Sequence, residues 1–289
     1  MASTSGREED RPFAGDTARF YARYRREYPA QFIARLVEFS RGGRGRLLDL
    51  GCGTGQLLLQ LASSFEHAVG ADPEPDMLRE AATKARERRI THVEWIRDSA
   101  DGLQKLEPAL GRFDLVTIGT AFHFMEPRAT LSQLQETAAG GSVAVAYNGS
   151  PMWLHPDPWA KALRAVLEAR LGQLRDIDFT VEALRAADMT MRDLGYTEIE
   201  HLEQTQVETI DVEFVIGHLL SATTTDQIPL AQREEFAQEV RSAIRRVAPS
   251  GRVVESVNMQ AVIGRADGAR RATSDDGVGQ RAGMSLEDS

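Results

Sequence analysis

Three glycines at alternate positions, Gly51, Gly53 and Gly55, lie within the segment LLDLGCGTGQLLLQLA of residues 47–62. An apolar run that includes Asp49 precedes them, and a second apolar run follows. Glycine adopts left-handed backbone conformations without steric cost, but it lowers stability inside regular helices and strands. This spacing predicts a tight turn between a buried strand and a helix that begins near Thr54, with bare backbone and free N–H groups facing a small polar ligand.

Polar side chains also follow three other apolar runs, where strands are expected to end. Asp72 follows the second run, Asp98 and Ser99 follow the third, and the stretch from Thr120 to His123 follows the fourth. In an open parallel sheet, ligands bind beyond the carboxyl ends of the strands, where the strand order reverses. The sequence therefore predicts one binding site assembled from neighbouring strand ends.

The charge beside the glycine turn separates two classes of cofactor. A dinucleotide site uses the spacing Gly-x-Gly-x-x-Gly and places a pyrophosphate at the helix N-terminus. Here the spacing is Gly-x-Gly-x-Gly, and the carboxylate of Asp49 would repel a pyrophosphate but attract an ammonium group. Asp72 is suited to ribose hydroxyls. These residues predict a nucleoside ligand with a cationic, amino-acid-like arm.

Segments with strand and helix periodicity alternate along the chain. The predicted strands are 46–50, 67–73, 92–98, 113–122 and 142–149, and the predicted helices between them are 55–65, 74–89 and 127–141. Such alternation predicts an α/β fold with a doubly wound, mostly parallel sheet. Further helices are predicted over 151–172, 181–196, 211–221 and 230–247, and the alternating segments 197–210 and 252–265 are predicted to close the sheet as an antiparallel pair.

The pattern predicts one domain over residues 13–265 rather than two independent domains. Residues 150–195 and 211–247 are interpreted as insertions that form a helical lid over a substrate pocket. Residues 1–12 and 266–289 offer few apolar side chains to bury, and they are predicted to be disordered tails.

Bulk composition excludes several functional classes. The chain has 289 residues and a formal net charge of −9, which argues against nucleic-acid binding because phosphates need a basic surface. No apolar run approaches the ~20 residues of a membrane-spanning helix, so no membrane partner is expected. A single cysteine, Cys52, and a polar N-terminus predict a cytoplasmic protein. A homo-oligomer is compatible with the sequence.

Five segments resemble, in the same order, those of one enzyme family. LLDLGCGTG (47–55) resembles the first motif of the class I S-adenosylmethionine-dependent methyltransferases, and GADPEPDML, RDSADGL and FDLVTIGTAFHF resemble the motifs that follow it. FYARYRREYP (20–29) resembles the N-terminal stretch that, in a small-molecule branch, folds over the methionine end of the cofactor. The resemblance implies a Rossmann-like, seven-stranded sheet, S-adenosylmethionine as cofactor and methyl transfer as the reaction.

The resemblance also implies roles for single residues. It places Asp72 on the ribose and Met77 on adenine, while Asp98 and Ser99 compete for the adenine amino group. The full set of predicted cofactor contacts is Tyr21, Arg25, Asp49, Gly51, Gly53, Gly55, Asp72, Pro73, Met77, Asp98, Ser99, Ala100, Thr120 and Ala121.

The catalytic candidates are three. His123 follows the fourth strand, where the methyl group should point, and is interpreted as a general base or as a contact that positions the acceptor. His155 lies in a segment rich in proline and tryptophan that is expected to form the pocket wall. Tyr21 is a candidate to cap the methyl group or hold the substrate. His218, on an inserted helix, ranks below these three. Each side chain has a plainer interpretation as packing.

The expected acceptor is a small molecule that is methylated on nitrogen or oxygen, and the resemblance extends to actinobacterial natural-product tailoring enzymes. Three alternatives stay open: a C-methyltransferase, an NAD-dependent oxidoreductase, and a non-catalytic protein that keeps the cofactor site. Asp49 and the glycine spacing disfavour the oxidoreductase. No metal site is predicted, because the sequence has no clear acidic ligand cluster.

Overall fold

The computed structural model describes residues 12–40, 43–98, 111–222 and 228–266. The strands are β1 (Arg46–Leu50), β2 (His67–Ala71), β3 (Val93–Ile96), β4 (Leu115–Gly119), β5 (Ser142–Asn148), β6 (Thr197–Asp211) and β7 (Arg252–Arg265). The α-helices are α1 (Asp16–Tyr24), α2 (Ala30–Glu38), α3 (Leu58–Leu61), α4 (Pro75–Glu87), α5 (Pro127–Thr137), α6 (Pro158–Leu171), α7 (Phe179–Asp193), α8 (Val212–Leu220) and α9 (Arg233–Val247). Within these ranges, no helix has the length and apolarity to cross a membrane.

All of these strands belong to one sheet, in the order β3-β2-β1-β4-β5-β7-β6. The strands β1 to β5 pair in parallel, and β7 lies antiparallel between β5 and β6. The strand order reverses between β1 and β4, which are hydrogen-bonded neighbours. The predicted seven-stranded, mostly parallel sheet is confirmed, and its reversal point is the place where such sheets bind ligands.

Helices cover both faces of the sheet because the central strands are buried on both sides. One apolar cluster contains Leu48 of β1 and Leu131 of α5. The cluster on the opposite face contains Leu47 of β1, Leu36 of α2 and Leu58 of α3. Successive strand residues point to opposite faces, so adjacent leucines of β1 serve different clusters. This two-sided burial explains the continuous apolar run that ends in the glycine turn.

A third apolar cluster joins α6, α8 and α9 and is separate from the two sheet clusters. It contains Trp159, whose Nε1 donates to the carbonyl of Val254 in β7 at 3.1 Å. Helix α7 differs, because Ala187 and Met191 pack into a sheet cluster. The apolar face of α7 therefore covers the sheet. That residues 150–195 and 211–247 form a lid over a substrate pocket stays a prediction.

Two predicted boundaries are wrong. The helix after the glycine turn begins at Leu58, not near Thr54. Gly53 and Gly55 have φ values of 52° and 80°, which a right-handed helix cannot contain. At the other end, Ala266 is fully buried and pairs its backbone with the loop before β5, so it belongs to the domain rather than to the C-terminal tail.

Candidate active site

The glycine turn after β1 is tied to the end of β2. The N–H groups of Gly51 and Cys52 donate to the carbonyl of Ala71 at 2.8 and 3.0 Å. Gly51 has a φ of 69°, and a Cβ atom there would lie 2.6 Å from the Cβ atom of Ala121, which follows β4. Only glycine fits this position, because the backbone is left-handed and the space is already filled.

The other two glycines of the turn have different surroundings. At Gly53, the nearest atom to an added Cβ would be Cε1 of Tyr21, at 3.8 Å. At Gly55, an added Cβ would lie 3.0 Å from Leu59 and 3.6 Å from Ala81. Gly55 faces this packed interior and lines neither cavity at the strand ends. This packing gives Gly55 a role in shaping the turn, and its predicted cofactor contact stays a prediction.

Asp72 holds the turn from the side of β2. Its carboxylate accepts the N–H of Gly53 at 2.9 Å and the N–H of Glu74 at 2.9 Å. Burial raises the pKa of Asp72, and these two backbone N–H groups oppose that rise. A carboxylate oxygen has further lone pairs, so Asp72 can still accept hydroxyl hydrogen bonds from a ligand in the cavity that it lines.

Two adjoining cavities lie at the carboxyl ends of β1, β2 and β4. The first, here called the Asp72 cavity, measures about 320 Å³, and its lining includes Asp72, Pro73, Met77, Asp98 and Ala121. The second, here called the Asp49 cavity, also measures about 320 Å³, and its lining includes Arg25, Asp49, His123, Trp153 and His218. The residues that line both are Phe13, Tyr21, Gly51, Gly119, Thr120 and Phe124.

The structure brings most of the predicted contacts together at this edge. Two of them, Ser99 and Ala100, lie outside the described residues. Sequence reasoning missed Phe13, whose ring lies 6.2 Å from that of Tyr21 and 5.8 Å from that of Phe124, both edge-on. Phe13 belongs to a segment without periodicity, so no sequence pattern could have indicated its place in the cavity wall.

His155 lines neither of these two cavities, and its catalytic role stays a prediction. Its Nε2 atom is 3.9 Å from Oε1 of Glu255, a residue that is 2% exposed, and its ring lies 6.1 Å from that of Trp159. Glu255 also forms a buried ion pair with Arg26. His155 is therefore part of an ionic cluster beside α6. The inward position of Glu255 in the alternating pattern of β7 was the available signal.

Asp49 is 1% exposed and lines the cavity named after it. Oγ1 of Thr117, the paired residue on β4, donates to Oδ1 of Asp49 at 2.7 Å. Burial raises the pKa of Asp49 to about 7, the hydrogen bond from Thr117 opposes the rise, and the charge of Asp72 adds to it. An ammonium group bound beside Asp49 would lower that pKa and stabilise the charged carboxylate.

Replacing Asp49 by asparagine is expected to change how stability depends on pH. The folded pKa of about 7 exceeds the ordinary value of 3.8, so the folded protein binds more protons and loses stability as pH rises from 3.8 to 7. Between pH 5 and pH 8, the wild type should lose about 3 kcal/mol more than Asp49→Asn, because the two units from pH 5 to the folded pKa each contribute ~1.36 kcal/mol. Urea unfolding at both pH values measures this difference, and parallel pH dependences would contradict the assignment.

His123 follows β4 in a 3₁₀ turn and contacts Tyr147 of β5 twice. Its backbone N–H donates to the hydroxyl oxygen of Tyr147 at 3.0 Å, and its Nδ1 lies 3.0 Å from the same oxygen. We assign the hydroxyl hydrogen of Tyr147 to Nδ1, because that oxygen already accepts one N–H, and this assignment puts the ring hydrogen of His123 on Nε2. Burial, followed by the charge of Arg25, lowers the pKa of His123 to about 4. This geometry favours a donor that positions the acceptor over a general base.

Removal of the Tyr147 hydroxyl is expected to abolish the preference of His123 for the tautomer with its hydrogen on Nε2. In Tyr147→Phe, Nδ1 loses its donor, so the neutral ring should become a mixture of tautomers and the pKa of His123 should rise. Nitrogen-15 NMR of labelled imidazoles reports both quantities. Tyr196→Phe is the matched control, because the buried Tyr196 hydroxyl donates to the Leu131 carbonyl at 2.7 Å. Equal spectra for His123 in the wild type and Tyr147→Phe would refute the assignment.

Helix α1 and the residue directly after it contribute Tyr21 and Arg25 to the Asp49 cavity, and α1 rests on α8. A Cβ atom at Gly217 of α8 would lie 2.3 Å from the ring of Tyr24, so glycine there permits close approach of the helices. Nε of Arg25 donates to Oγ of Ser221 at 2.8 Å, and its guanidinium lies 4.8 Å from the centre of the Tyr21 ring. Burial raises the pKa of Tyr21, so its hydroxyl stays protonated at neutral pH.

Comparisons with known proteins agree with this arrangement. Residues 47–141, from β1 to the loop before β5, match a family model described as a methyltransferase domain. A solved structure described as a type II methyltransferase from Anaeromyxobacter dehalogenans superposes with a TM-score of 0.58 at 22% identity, over 85% of this chain and 99% of that one. At this identity the likeness shows a shared fold.

Two curated relatives match part of the chain by sequence. One, from Saccharomyces cerevisiae and assigned as a probable S-adenosylmethionine-dependent methyltransferase (CRG1), is 30% identical over 36% of this chain and 35% of its own length. The other, a 2-heptyl-1-hydroxyquinolin-4(1H)-one methyltransferase from Mycobacteroides abscessus, is 33% identical over 37% of this chain and 51% of its own length. The chain therefore matches only about a third to a half of these relatives.

Proposed function

We propose that the chain, whose fold is that of class I S-adenosylmethionine-dependent methyltransferases, transfers a methyl group from S-adenosylmethionine to a nitrogen or oxygen atom of a small-molecule acceptor. The observation that carries the proposal is the pair of adjoining cavities that share the bare backbone of Gly51 in their walls. One cavity holds the carboxylate suited to ribose, and the other holds the carboxylate suited to an ammonium group.

The residues at the strand ends fit this cofactor. The Asp72 cavity would take the adenosine, with Asp72 on the ribose hydroxyls and the apolar side chain of Met77, which is 3% exposed, against adenine. In the Asp49 cavity, Asp49 would bind the ammonium group and Arg25 the carboxylate of the methionine arm. A side chain at Gly51 would fill the passage between them, which explains the glycine.

When bound, S-adenosylmethionine supplies a methyl group that is already activated for displacement, so the chain has to align the acceptor and exclude water. Alignment alone can contribute ~7–11 kcal/mol to lowering the barrier. The aromatic side chains of Tyr21, Trp153 and Phe179 line the Asp49 cavity and offer an apolar wall for an acceptor. Tyr21 is also placed where it could cap the transferred methyl group, since it lines both cavities.

Several observations support a small acceptor. The cavity of about 320 Å³ accommodates a metabolite, and the net charge of −9 disfavours nucleic acid. The name of the relative from Mycobacteroides abscessus gives an aromatic N-hydroxy compound as its substrate. A cavity lined by aromatic rings would suit a compound of this kind. These observations support our proposal that the acceptor is a natural product of secondary metabolism.

Turnover tests this proposal. The protein is incubated with S-adenosylmethionine that carries a carbon-13 methyl group and with a panel of phenols, hydroxyquinolones and amines, and products are detected by mass spectrometry. At least one acceptor should gain a labelled methyl group in proportion to the S-adenosylhomocysteine formed, and Asp72→Ala serves as the inactive control. Binding of the cofactor without methylation of any panel member would favour the non-catalytic alternative.

A further inference from the structure

Two residues that line the Asp49 cavity each have a buried side-chain atom with no hydrogen-bond partner among the described residues. Five buried side-chain atoms of the described chain are in this state: Arg46 Nε, Gln133 Nε2, Asn148 Oδ1, His218 Nδ1 and Arg233 Nε. Of these residues, only Asn148 and His218 line the Asp49 cavity, and none lines the Asp72 cavity. A buried polar atom without a partner is costly, so such atoms beside a cavity indicate where a ligand supplies the missing group.

Both atoms are acceptors. Nδ2 of Asn148 donates to the carbonyls of Arg26 and Glu27 at 2.9 and 3.3 Å, and carbonyls only accept, so the unpartnered atom is the amide oxygen. The ring of His218 donates a hydrogen bond to the backbone carbonyl of Tyr24. Since Nδ1 is unpartnered, that bond uses Nε2, which must carry the hydrogen. Nδ1 of the neutral ring then has a free lone pair.

The surroundings of His218 keep its ring neutral. Burial is the main cause that lowers its pKa, and the positive charges of Arg25 and Arg26 add to the effect. His123, in contrast, already uses the lone pair of its Nδ1 on the hydroxyl of Tyr147. Of these two histidines of the Asp49 cavity, His218 is the one with a lone pair available to a bound acceptor.

We propose that Nδ1 of His218, rather than His123, accepts a hydrogen bond from the methyl acceptor, which is an apolar, ring-containing molecule with a hydroxyl or amine group. This inference rests on the proposed function. The acceptor oxygen or nitrogen forms a bond to the methyl carbon, the carbon–sulfur bond breaks and its electron pair stays on sulfur. The hydrogen that Nδ1 of His218 holds in the bound acceptor is released to solvent as a proton, and the amide oxygen of Asn148 accepts a hydrogen bond from a second donor of the same molecule.

Binding of two probes tests whether this site accepts a hydrogen bond from its ligand. The full-length protein is saturated with S-adenosylhomocysteine and titrated with 1-naphthol, which can donate a hydrogen bond, or with 1-methoxynaphthalene, which cannot. Wild type should prefer 1-naphthol by about fivefold, as expected for one hydrogen bond. His218→Phe should lose the preference, and His218→Asn should keep it because its amide oxygen can replace Nδ1. His67→Phe is the control, since His67 lines neither cavity.

Three results would overturn the inference: equal preference in wild type and His218→Phe, a hydrogen on Nδ1 of His218 in nitrogen-15 NMR, or no binding of either naphthalene. With an acceptor that is turned over, His218→Phe should raise KM by about fivefold and His218→Asn should keep KM within about threefold of wild type, and an unchanged KM in His218→Phe would also overturn the inference. Failure of S-adenosylhomocysteine to bind any variant would instead reject the proposed function.

Discussion

Replacing Gly51 by alanine is expected to abolish cofactor binding and to destabilise the fold, whereas the same change at Gly53 should have a small effect. Both residues have positive φ values, 69° and 52°, so each alanine carries the strain of a left-handed conformation, about 1–2 kcal/mol. The added Cβ at Gly51 would lie 2.6 Å from Ala121 Cβ, while at Gly53 the nearest atom is 3.8 Å away. Overpacking at Gly51 should cost a further ~1–3 kcal/mol.

Gly53→Ala is the control for Gly51→Ala, because backbone strain is common to both variants. Denaturant unfolding should show Gly51→Ala to be less stable than Gly53→Ala by about 2 kcal/mol. Titration with S-adenosylhomocysteine should detect no binding to Gly51→Ala and binding to Gly53→Ala within about tenfold of wild type. Equal affinities in the two variants would show that the passage across Gly51 is not where the cofactor lies.

Asp72→Ala is expected to weaken S-adenosylhomocysteine binding by at least about 100-fold. The side chain has two roles, since it accepts the N–H groups of Gly53 and Glu74 and faces the cavity assigned to the ribose. Its removal deletes charged hydrogen bonds to the ligand, each worth about 1.5–3 kcal/mol, and frees the glycine turn from β2.

Glu74→Ala is the control for this change. Glu74 lines the same cavity and is also buried, and its side chain accepts the N–H of Asp76 at the start of α4. Loss of this helix cap should lower stability by about 1 kcal/mol and leave the affinity nearly unchanged. If calorimetry gives Asp72→Ala and Glu74→Ala the same affinity, the ribose role of Asp72 is refuted.

The sheet and the half of the site that lies at the strand ends were predictable because they follow from local patterns. The run that ends in Asp49, the glycine turn and Asp72 lie within a few residues of predicted strand ends. In a parallel sheet, these ends meet at one edge. The long alternating segments of β6 and β7 likewise indicated their antiparallel pairing, since each has one face against the core.

The rest of the site depends on contacts between distant parts of the chain. His155 and Trp153 lie in one short segment, yet only Trp153 lines the Asp49 cavity, while His155 turns toward Glu255 of β7. His218 ranked low because an inserted helix carries no motif. Its importance depends on Tyr24, nearly two hundred residues earlier, and on the packing of α1 against α8. Burial of a side chain, and the presence or absence of a hydrogen-bond partner for it, leave no recognisable pattern in the sequence.

Calorimetric titration of the wild-type protein with S-adenosylhomocysteine and, separately, with NAD tests the central claim most directly. Both ligands contain adenosine, so both could use Asp72, but only the first has the ammonium group that Asp49 favours. We predict micromolar binding of S-adenosylhomocysteine and no binding of NAD. Binding of NAD without S-adenosylhomocysteine would contradict the account and assign the chain to the oxidoreductases.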